Sequence, residues 1–363
     1  MIPSNKIKIW WQSIDKVILF STFFLLLIGT FLVMSSSLIH ADKNFLKEQY
    51  LLKKHLYFLP LSLSIILFTT TITREKIVII CSLAFFTFII LSVFPYFFFD
   101  EIKGAKRWIN FFGYSLQPSE FLKPTFIIVS SVLLSRFKKK NDYSLNLNFV
   151  FLILIISVLF LQPDFGMSLL IFLSWSIQVF IFGFSLKFIF VVFTFGILTF
   201  IFAYHFFSHV KFRIDSFFNI NIGDKYQVTK SLEAFSSGGL TGNGIGSAKI
   251  SNFLPDVQSD FILALAAEEL GFITVSIIII LYILIFLRTL YHSFKSSNMF
   301  DFLSLSGLAI IFFSQFLINL LSTLSLIPTK GMTLPFISYG GSSMLSCAFL
   351  VGLILSISKK NEV

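Results

Sequence analysis

Charge is what this sequence has least of. Asp, Glu, Lys and Arg make up 13% of its 363 residues, against about 25% in soluble domains. With 56% hydrophobic residues and a mean hydropathy of +0.89, the chain is excluded from the soluble globular class. Cysteine is nearly absent: Cys81 and Cys347 both fall within apolar runs. No CxxC or Cys/His spacing exists, which excludes a disulfide framework and a zinc site. Acids are outnumbered 18 to 28 by Lys and Arg, leaving a net charge of +10. The basic residues are scattered among short loops, so they fit membrane topology and anionic lipid headgroups, and no nucleic-acid partner is implied. A repeat of fixed period and a cytoplasmic domain are also lacking.

What is present is a series of long apolar runs, several above the 18 residues that cross a bilayer. The spans fall at about 16–38, 53–70, 76–98, 119–136, 147–161, 166–183, 187–207, 261–287, 303–325 and 339–358. The fold class is an all-α polytopic membrane protein of about ten transmembrane helices, one domain over 1–363. The first apolar run exceeds a signal-peptide core and reads as a retained span. The 51 Phe residues are lipid-facing filler. An even count of spans puts both termini on one side. Lys6, Lys8, Lys16, Arg74, Lys76, Arg136, Lys138 to Lys140, Lys187, Arg288, Lys295, Lys359 and Lys360 mark that side as cytoplasmic. The opposite face receives a short loop at 39–52, a loop at about 99–118, and one large extracytoplasmic loop at about 208–260.

The chain turns on Leu254-Pro-Asp-Val-Gln-Ser-Asp-Phe-Ile-Leu-Ala-Leu-Ala-Ala-Glu-Glu-Leu-Gly271. Helical spacing puts Asp260, Ala264, Ala267 and Gly271 on one narrow face, small enough for close approach of another helix. Asp260 stands at the membrane border, where an acid is a functional candidate; the plainer alternative is a helix cap or a solvated side chain. Glu268 lies about 12 Å deeper at 1.5 Å per residue. Lys103-Gly-Ala-Lys106-Arg107-Trp108 sets cations beside an interfacial aromatic, suited to an anionic headgroup or simply to a basic loop. In Gln117-Pro-Ser-Glu120-Phe-Leu-Lys123-Pro124, Glu120 and Lys123 are spaced to pair on one face. Asp164 in Gln162-Pro-Asp-Phe-Gly166 reads as a turn or N-cap, with cavity lining as the alternative.

The remaining motifs are weaker. Gly238-Gly-Leu-Thr-Gly-Asn-Gly-Ile-Gly246 lacks the Lys-Ser/Thr of a phosphate loop and reads as a flexible loop over a site. His205 and His209 are four apart with no acid near, and read as solvated. Ser338-Tyr-Gly340-Gly341-Ser-Ser343 is first of all a close-packing segment. Acids, cations and amides gather at the outer border, and the inner half offers no matching polar set. Gln315 and Asn319 are the exceptions, read as bonds between helices.

Together these segments resemble the SEDS family of bacterial shape, elongation, division and sporulation proteins. The resemblance rests on Gly104-Ala-Lys-Arg-Trp108, Gln117-Pro-Ser-Glu120, Gln162-Pro-Asp-Phe-Gly166, Gly238-Gly-Leu-x-Gly242, Leu254-Pro-x-x-x-Ser-Asp-Phe261, Glu268-Glu-Leu-Gly271 and Pro335–Ser343. Thr329-Lys-Gly-Met-Thr-Leu-Pro335 is similar to the division branch rather than the elongation branch. The resemblance implies a peptidoglycan glycosyltransferase acting on lipid II at the outer face of the inner membrane, at the division septum. It implies partnership with a class B penicillin-binding protein and other divisome proteins. Carried over by motif, Asp260 is the catalytic acid residue. Lys106, Arg107, Trp108, Gln117, Glu120, Lys123, Asp164 and Ser338 serve the substrate, and Glu268, Gly340 and Gly341 shape the cavity. No cofactor motif is present; a divalent cation, Mg or Mn, would be an additional counter-charge for an undecaprenyl pyrophosphate. Two positions depart from the family: Gln258 stands where a His is common, and Asn252 where division members can carry a Glu. A lipid II flippase and a non-catalytic division scaffold are the rival readings.

Overall fold

The structure, a computed structural model, describes residues 4–39, 41–99, 106–111, 113–137, 143–206, 211, 215, 225–328 and 331–359. Lys103, Lys138 to Lys140, His209, Thr329, Lys330 and Lys360 lie outside them. In chain order the helices are α1 (Ser4–Ser13), α2 (Lys16–Ile39), α3 (Ala41–Thr70) and α4 (Arg74–Phe98). There follow α5 (Pro118–Arg136), α6 (Ser144–Leu161), α7 (Phe165–Phe182), α8 (Leu186–Phe206) and α9 (Lys225–Ser237). The last three are α10 (Ile262–Lys295), α11 (Met299–Thr323) and α12 (Gly341–Ile357). Each of the ten apolar runs has its helix. Seven of the described helices are long and apolar enough to cross a membrane, and Gly341–Ile357 is a shorter apolar one.

Two loops expected from polarity carry structure of their own. The 39–52 loop is absorbed into α3, which begins at Ala41, because Leu, Lys, Glu and Gln there are good helix formers. Within 99–118, strands β1 (Ile109–Phe111) and β2 (Tyr114–Leu116) pair antiparallel. Gly113, at φ +80°, makes their tight turn.

Packing centres on α5, α11 and α12, whose residues are buried along most of their length. Small residues let α12 approach its neighbours. A Cβ on Gly341 would meet the Phe58 ring at 2.4 Å, and one on Gly352 would meet Thr69 Cβ at 2.7 Å. Close approach of this kind drives helix association where lipid tails are as apolar as Leu. Around this centre α4, α6 and α8 turn Leu83, Ile90, Ile153 and Phe190 outward, the surface a bilayer would cover.

α10 is interrupted. Gly271 adopts φ 78°, ψ −179° within it, and a break of this kind leaves helix carbonyls and amides without partners. The glycine-rich segment supplies them: Asn243 and Gly244 donate to the Glu268 and Glu269 carbonyls, at 2.9 and 3.0 Å. In return the Phe272 and Ile273 amides donate to the Gly239 and Leu240 carbonyls, at 2.9 and 3.2 Å. The approach needs glycine, since a Cβ on Gly238 would stand 1.8 Å from the Ala267 carbonyl oxygen. Gly238–Gly246 is therefore a splint bound to α10 rather than the flexible loop its composition suggests. It, not a membrane helix, occupies the small-residue face below Asp260.

At the opposite end of the bundle, Asp15 accepts from Arg288 Nε and faces His292 Nε2, both at 2.7 Å. Arg74 pairs with Asp301 at 3.0 Å. That half also corrects the expectation of no polar set. Gln178 bridges Ser130, Ser131 and the Leu303 carbonyl, at 2.8, 2.8 and 3.2 Å. Trp175 Nε1 donates to Asn148 Oδ1 at 2.7 Å. These groups are buried and mutually engaged, joining α5, α6, α7 and α11.

Candidate functional site

Asp260 sits one residue before Phe261, the N-cap position of α10, so it is not that helix's cap. A turn brings it there: its amide donates to the Asp256 carbonyl at 3.0 Å. Three supports hold the turn. Asn319 Nδ2 donates to the carbonyls of Asp260 and Met332, at 3.2 and 2.6 Å. Ser338 Oγ donates to the Ser259 carbonyl and accepts the Leu334 amide. Beneath, Leu254, Val257 and Phe261 pack with Ala264 and Leu265 against Ala234 of α9 and Ala248. The carboxylate is left facing a cavity of about 890 Å³, the size of a drug-sized ligand site.

Across that cavity stand two ion pairs. Arg107 Nη1 lies 3.2 Å from Asp164 Oδ2, and Gln117 Nε2 donates to the same oxygen at 3.2 Å. Asp164 also caps α7, accepting the Met167 amide at 3.2 Å; the two readings of that residue hold together. Deeper, Lys123 Nζ lies 2.6 Å from Glu120 Oε2 and donates to Gln315 Oε1 at 2.6 Å. Lys123 is 1% exposed, and a cation so buried needs this pairing. Gln315 passes the chain on, donating to the Thr333 carbonyl at 3.1 Å.

Of the residues expected at the site, the structure brings Asp260, Arg107, Trp108, Gln117, Glu120, Lys123, Asp164, Gly340 and Gly341 to the cavity wall. Three stand elsewhere. Lys106 lies over the Tyr96 ring, 5.9 Å from its centroid, and does not line the cavity. Ser338 is 3% exposed and supports the Asp260 turn from behind. Glu268 is 1% exposed; it accepts the amides of Lys249, Ile250 and Ser251, each at 2.8 Å. It thus anchors the strand of chain leading to Asp260. Its neighbour Glu269 accepts the Gly246 amide at 2.9 Å and the Ser35 hydroxyl at 2.6 Å.

Residue patterns missed Lys54. It lines the cavity from α3, its ammonium 5.4 Å from the Tyr114 ring centroid. Leu51, Lys54 and Phe58, at helical spacing on one face, were the available signal. Asn319 and Gln315, four apart on α11, were legible only as polar groups in an apolar helix. Gly331, at φ +61°, presses close to the acid: a Cβ there would be 3.1 Å from Asp260 Oδ2.

A bundle of apolar helices around a splinted, broken helix, with a charged cavity among its described residues, defines a polytopic membrane protein. The chain belongs to the cell cycle protein family of FtsW, RodA and SpoVE, whose sequence profile matches residues 16–363. It is 32% identical to the probable peptidoglycan glycosyltransferase FtsW of Caulobacter vibrioides, over 97% of this chain and 91% of that protein. It is 29% identical to stage V sporulation protein E of Bacillus subtilis, covering 96% and 97% of the two chains. Two solved structures share the fold. One, a chain of a peptidoglycan synthase complex that coordinates polymerization and crosslinking, superposes with a TM-score of 0.79 at 22% identity, covering 96% of this chain and 98% of that one. The other, the rod shape determining protein RodA of Thermus thermophilus, gives 0.71 at 22% identity, with 96% and 97% covered.

Proposed function

We propose that the chain is a peptidoglycan glycosyltransferase that joins lipid II into glycan strands at the outer face of a bacterial plasma membrane. The observation that carries this is the cavity, which sets the Asp260 carboxylate opposite cations steadied by carboxylates. In the reaction, Asp260 takes the proton of the acceptor 4-hydroxyl as its oxygen attacks the donor's anomeric carbon. The bond from that carbon to the pyrophosphate oxygen breaks, and undecaprenyl pyrophosphate leaves with the electron pair. Attack from the opposite face gives a β-1,4 link with inversion. Arg107, Lys123 and Lys54 stabilise the charge that develops on the leaving group. Because Asp164 and Glu120 fix the first two beforehand, little reorganisation is needed at the moment of reaction.

The same reading places both termini in the cytoplasm, on the side of the basic turns, and the protein at the septum. It pairs the chain with a class B penicillin-binding protein, in keeping with its likeness to a chain of a synthase complex. The test is purified protein with lipid II in detergent, with and without that partner, followed by separation of glycan chains. Polymer that disappears in Asp260→Asn is the expected result. Absence of polymer, with lipid II crossing vesicles that carry the protein, would replace the reading with a flippase.

A further inference from the structure

Gln315 lies on α11, 4% exposed, and the two ends of its amide rest on different parts of the cavity wall. Its Oε1 accepts from Lys123 Nζ at 2.6 Å. Its Nε2 donates to the Thr333 carbonyl at 3.1 Å and to Ser343 Oγ at 3.4 Å. The partners fix this orientation, because an ammonium only donates and a carbonyl only accepts. Gln315 lines the cavity, yet both ends of its amide are committed to protein. It therefore acts on a substrate through the groups it holds.

On one side it holds a direction. An ammonium has three N–H donors. Among the described residues, Lys123 meets Glu120 Oε2 at 2.6 Å and Gln315 Oε1 at the same distance. Two fixed acceptors set the heading of the third N–H, and Lys123 lines the cavity. With Glu120 alone, the flexible four-carbon stem would let the ammonium turn about a single contact. On the other side, Thr333 belongs to the segment that walls in the acid. Asn319 Nδ2 donates to the Met332 carbonyl at 2.6 Å, and Thr333 Oγ1 donates to Ser343 Oγ at 2.7 Å. In the same segment, a Cβ on Gly331 would stand 3.1 Å from Asp260 Oδ2. One side chain thus ties the cation to the wall against which the Asp260 carboxylate lies.

We propose that Gln315 is a positioning residue: it aims the Lys123 ammonium at the oxygen of the departing pyrophosphate. The proposal rests on the glycosyltransferase reading for its substrate class. As the bond to the anomeric carbon breaks, that oxygen keeps the electron pair, so the departing group carries a negative charge that the bound substrate lacks. An ammonium aimed at that oxygen binds the departing group more tightly than the substrate, and the difference appears in kcat.

The experiment compares the parental chain with Gln315→Met, similar in size but without either polar end, purified in detergent with the partner transpeptidase. The control is Gln178→Met. Gln178 is an equally buried amide that bonds across α5, α7 and α11 and stands outside the cavity wall. Polymerisation of lipid II is read as kcat and KM, and undecaprenyl pyrophosphate binding by thermal-shift titration. Lipid II binding is read in an Asp260→Asn background, where turnover is stopped. Gln315→Met should lower kcat about tenfold or more with KM held, the scale of one charge-assisted hydrogen bond. It should weaken undecaprenyl pyrophosphate by a similar factor and leave lipid II affinity at the parental level. Gln178→Met should melt lower than the parent and keep parental kcat and affinities. Should Gln315→Met fail to fold, Gln315→Asn, one methylene short of spanning both partners, replaces it with the same loss expected. Parental kcat and parental undecaprenyl pyrophosphate affinity in the folded variant would overturn the proposal. So would equal losses of affinity for the two lipids, or a matching loss of kcat in Gln178→Met. A parental chain that makes no glycan, with undecaprenyl pyrophosphate still selectively weakened by Gln315→Met, would instead remove the glycosyltransferase reading and leave the hold on Lys123 standing.

Discussion

Asp260 and Glu268 share one short stretch, yet their carboxylates meet different surroundings. Glu268 receives three amides and the Ser251 hydroxyl, so its oxygens are already engaged. Asp260 faces the cavity. Asp260→Asn is therefore expected to fold normally and lose about 10²–10⁴ in polymerisation rate, the range for a missing general base. Glu268→Gln turns an NH₂ toward amides that need an acceptor. It should lower the thermal midpoint, at about 1–3 kcal/mol, with activity per folded molecule retained. Glycan yield normalised to monodisperse protein reads both; near-parental polymerisation in Asp260→Asn would remove the base assignment. Arg107 and Lys106 make a second contrast. Arg107→Ala should lose about 1.5–3 kcal/mol of substrate use as a lower kcat/KM, and Lys106→Ala, whose ammonium rests on Tyr96, much less. Equal losses would place both cations on the substrate.

At the scale of elements, the break in α10 is the feature most open to a test. Gly271→Ala puts a methyl 2.3 Å from the Gly242 amide nitrogen at φ +78°, so backbone must shift as well as strain. Gly239→Ala keeps a positive φ but meets nothing within 4 Å, isolating the conformational cost of about 1–2 kcal/mol. The expected order of melting temperatures in detergent is parent, then Gly239→Ala, then Gly271→Ala well below; equal losses would mean the splint does not grip. This element also marks the limit of what residue patterns reveal. Ten apolar runs announce ten helices because burial in lipid and length are one-dimensional properties. Family motifs located the cavity residues for the same local reason. Gly271 looked like packing against a neighbouring helix, because a positive φ and a docked loop leave no periodic trace. Glu268 read as a deep acid, whereas its donors lie in a loop far from any helical spacing. Lys54 belongs to none of the motifs, and only the fold brings α3 to the cavity.

For the whole molecule, Asp15 ties the start of the first span to the far end of α10. Burial works against its ionisation, but bonds from His292, the Ile18 amide and Arg288 outweigh burial and hold the carboxyl below the usual range. A carboxyl depressed in the folded state contributes stability fully above its unfolded value, near 4, and loses it as pH falls toward the folded value. The melting-temperature gap between parent and Asp15→Asn should accordingly narrow as pH falls below about 4. A gap that widens below that pH would reverse the assignment.

The splint at Gly238–Gly246 bears on how the protein breathes. Composition marks this segment as the part that should open most often and exchange its amide hydrogens fastest. Its Asn243 and Gly244 amides instead lie on helix carbonyls, and the Phe272 and Ile273 amides lie on its own. Those hydrogens can exchange only when loop and helix part. Deuterium uptake should therefore be slow across a glycine-rich, water-facing stretch, and the same event that releases it should release the Asp260 turn. The least regular piece of the outer loop would then report, amide by amide, how long the acid is held ready.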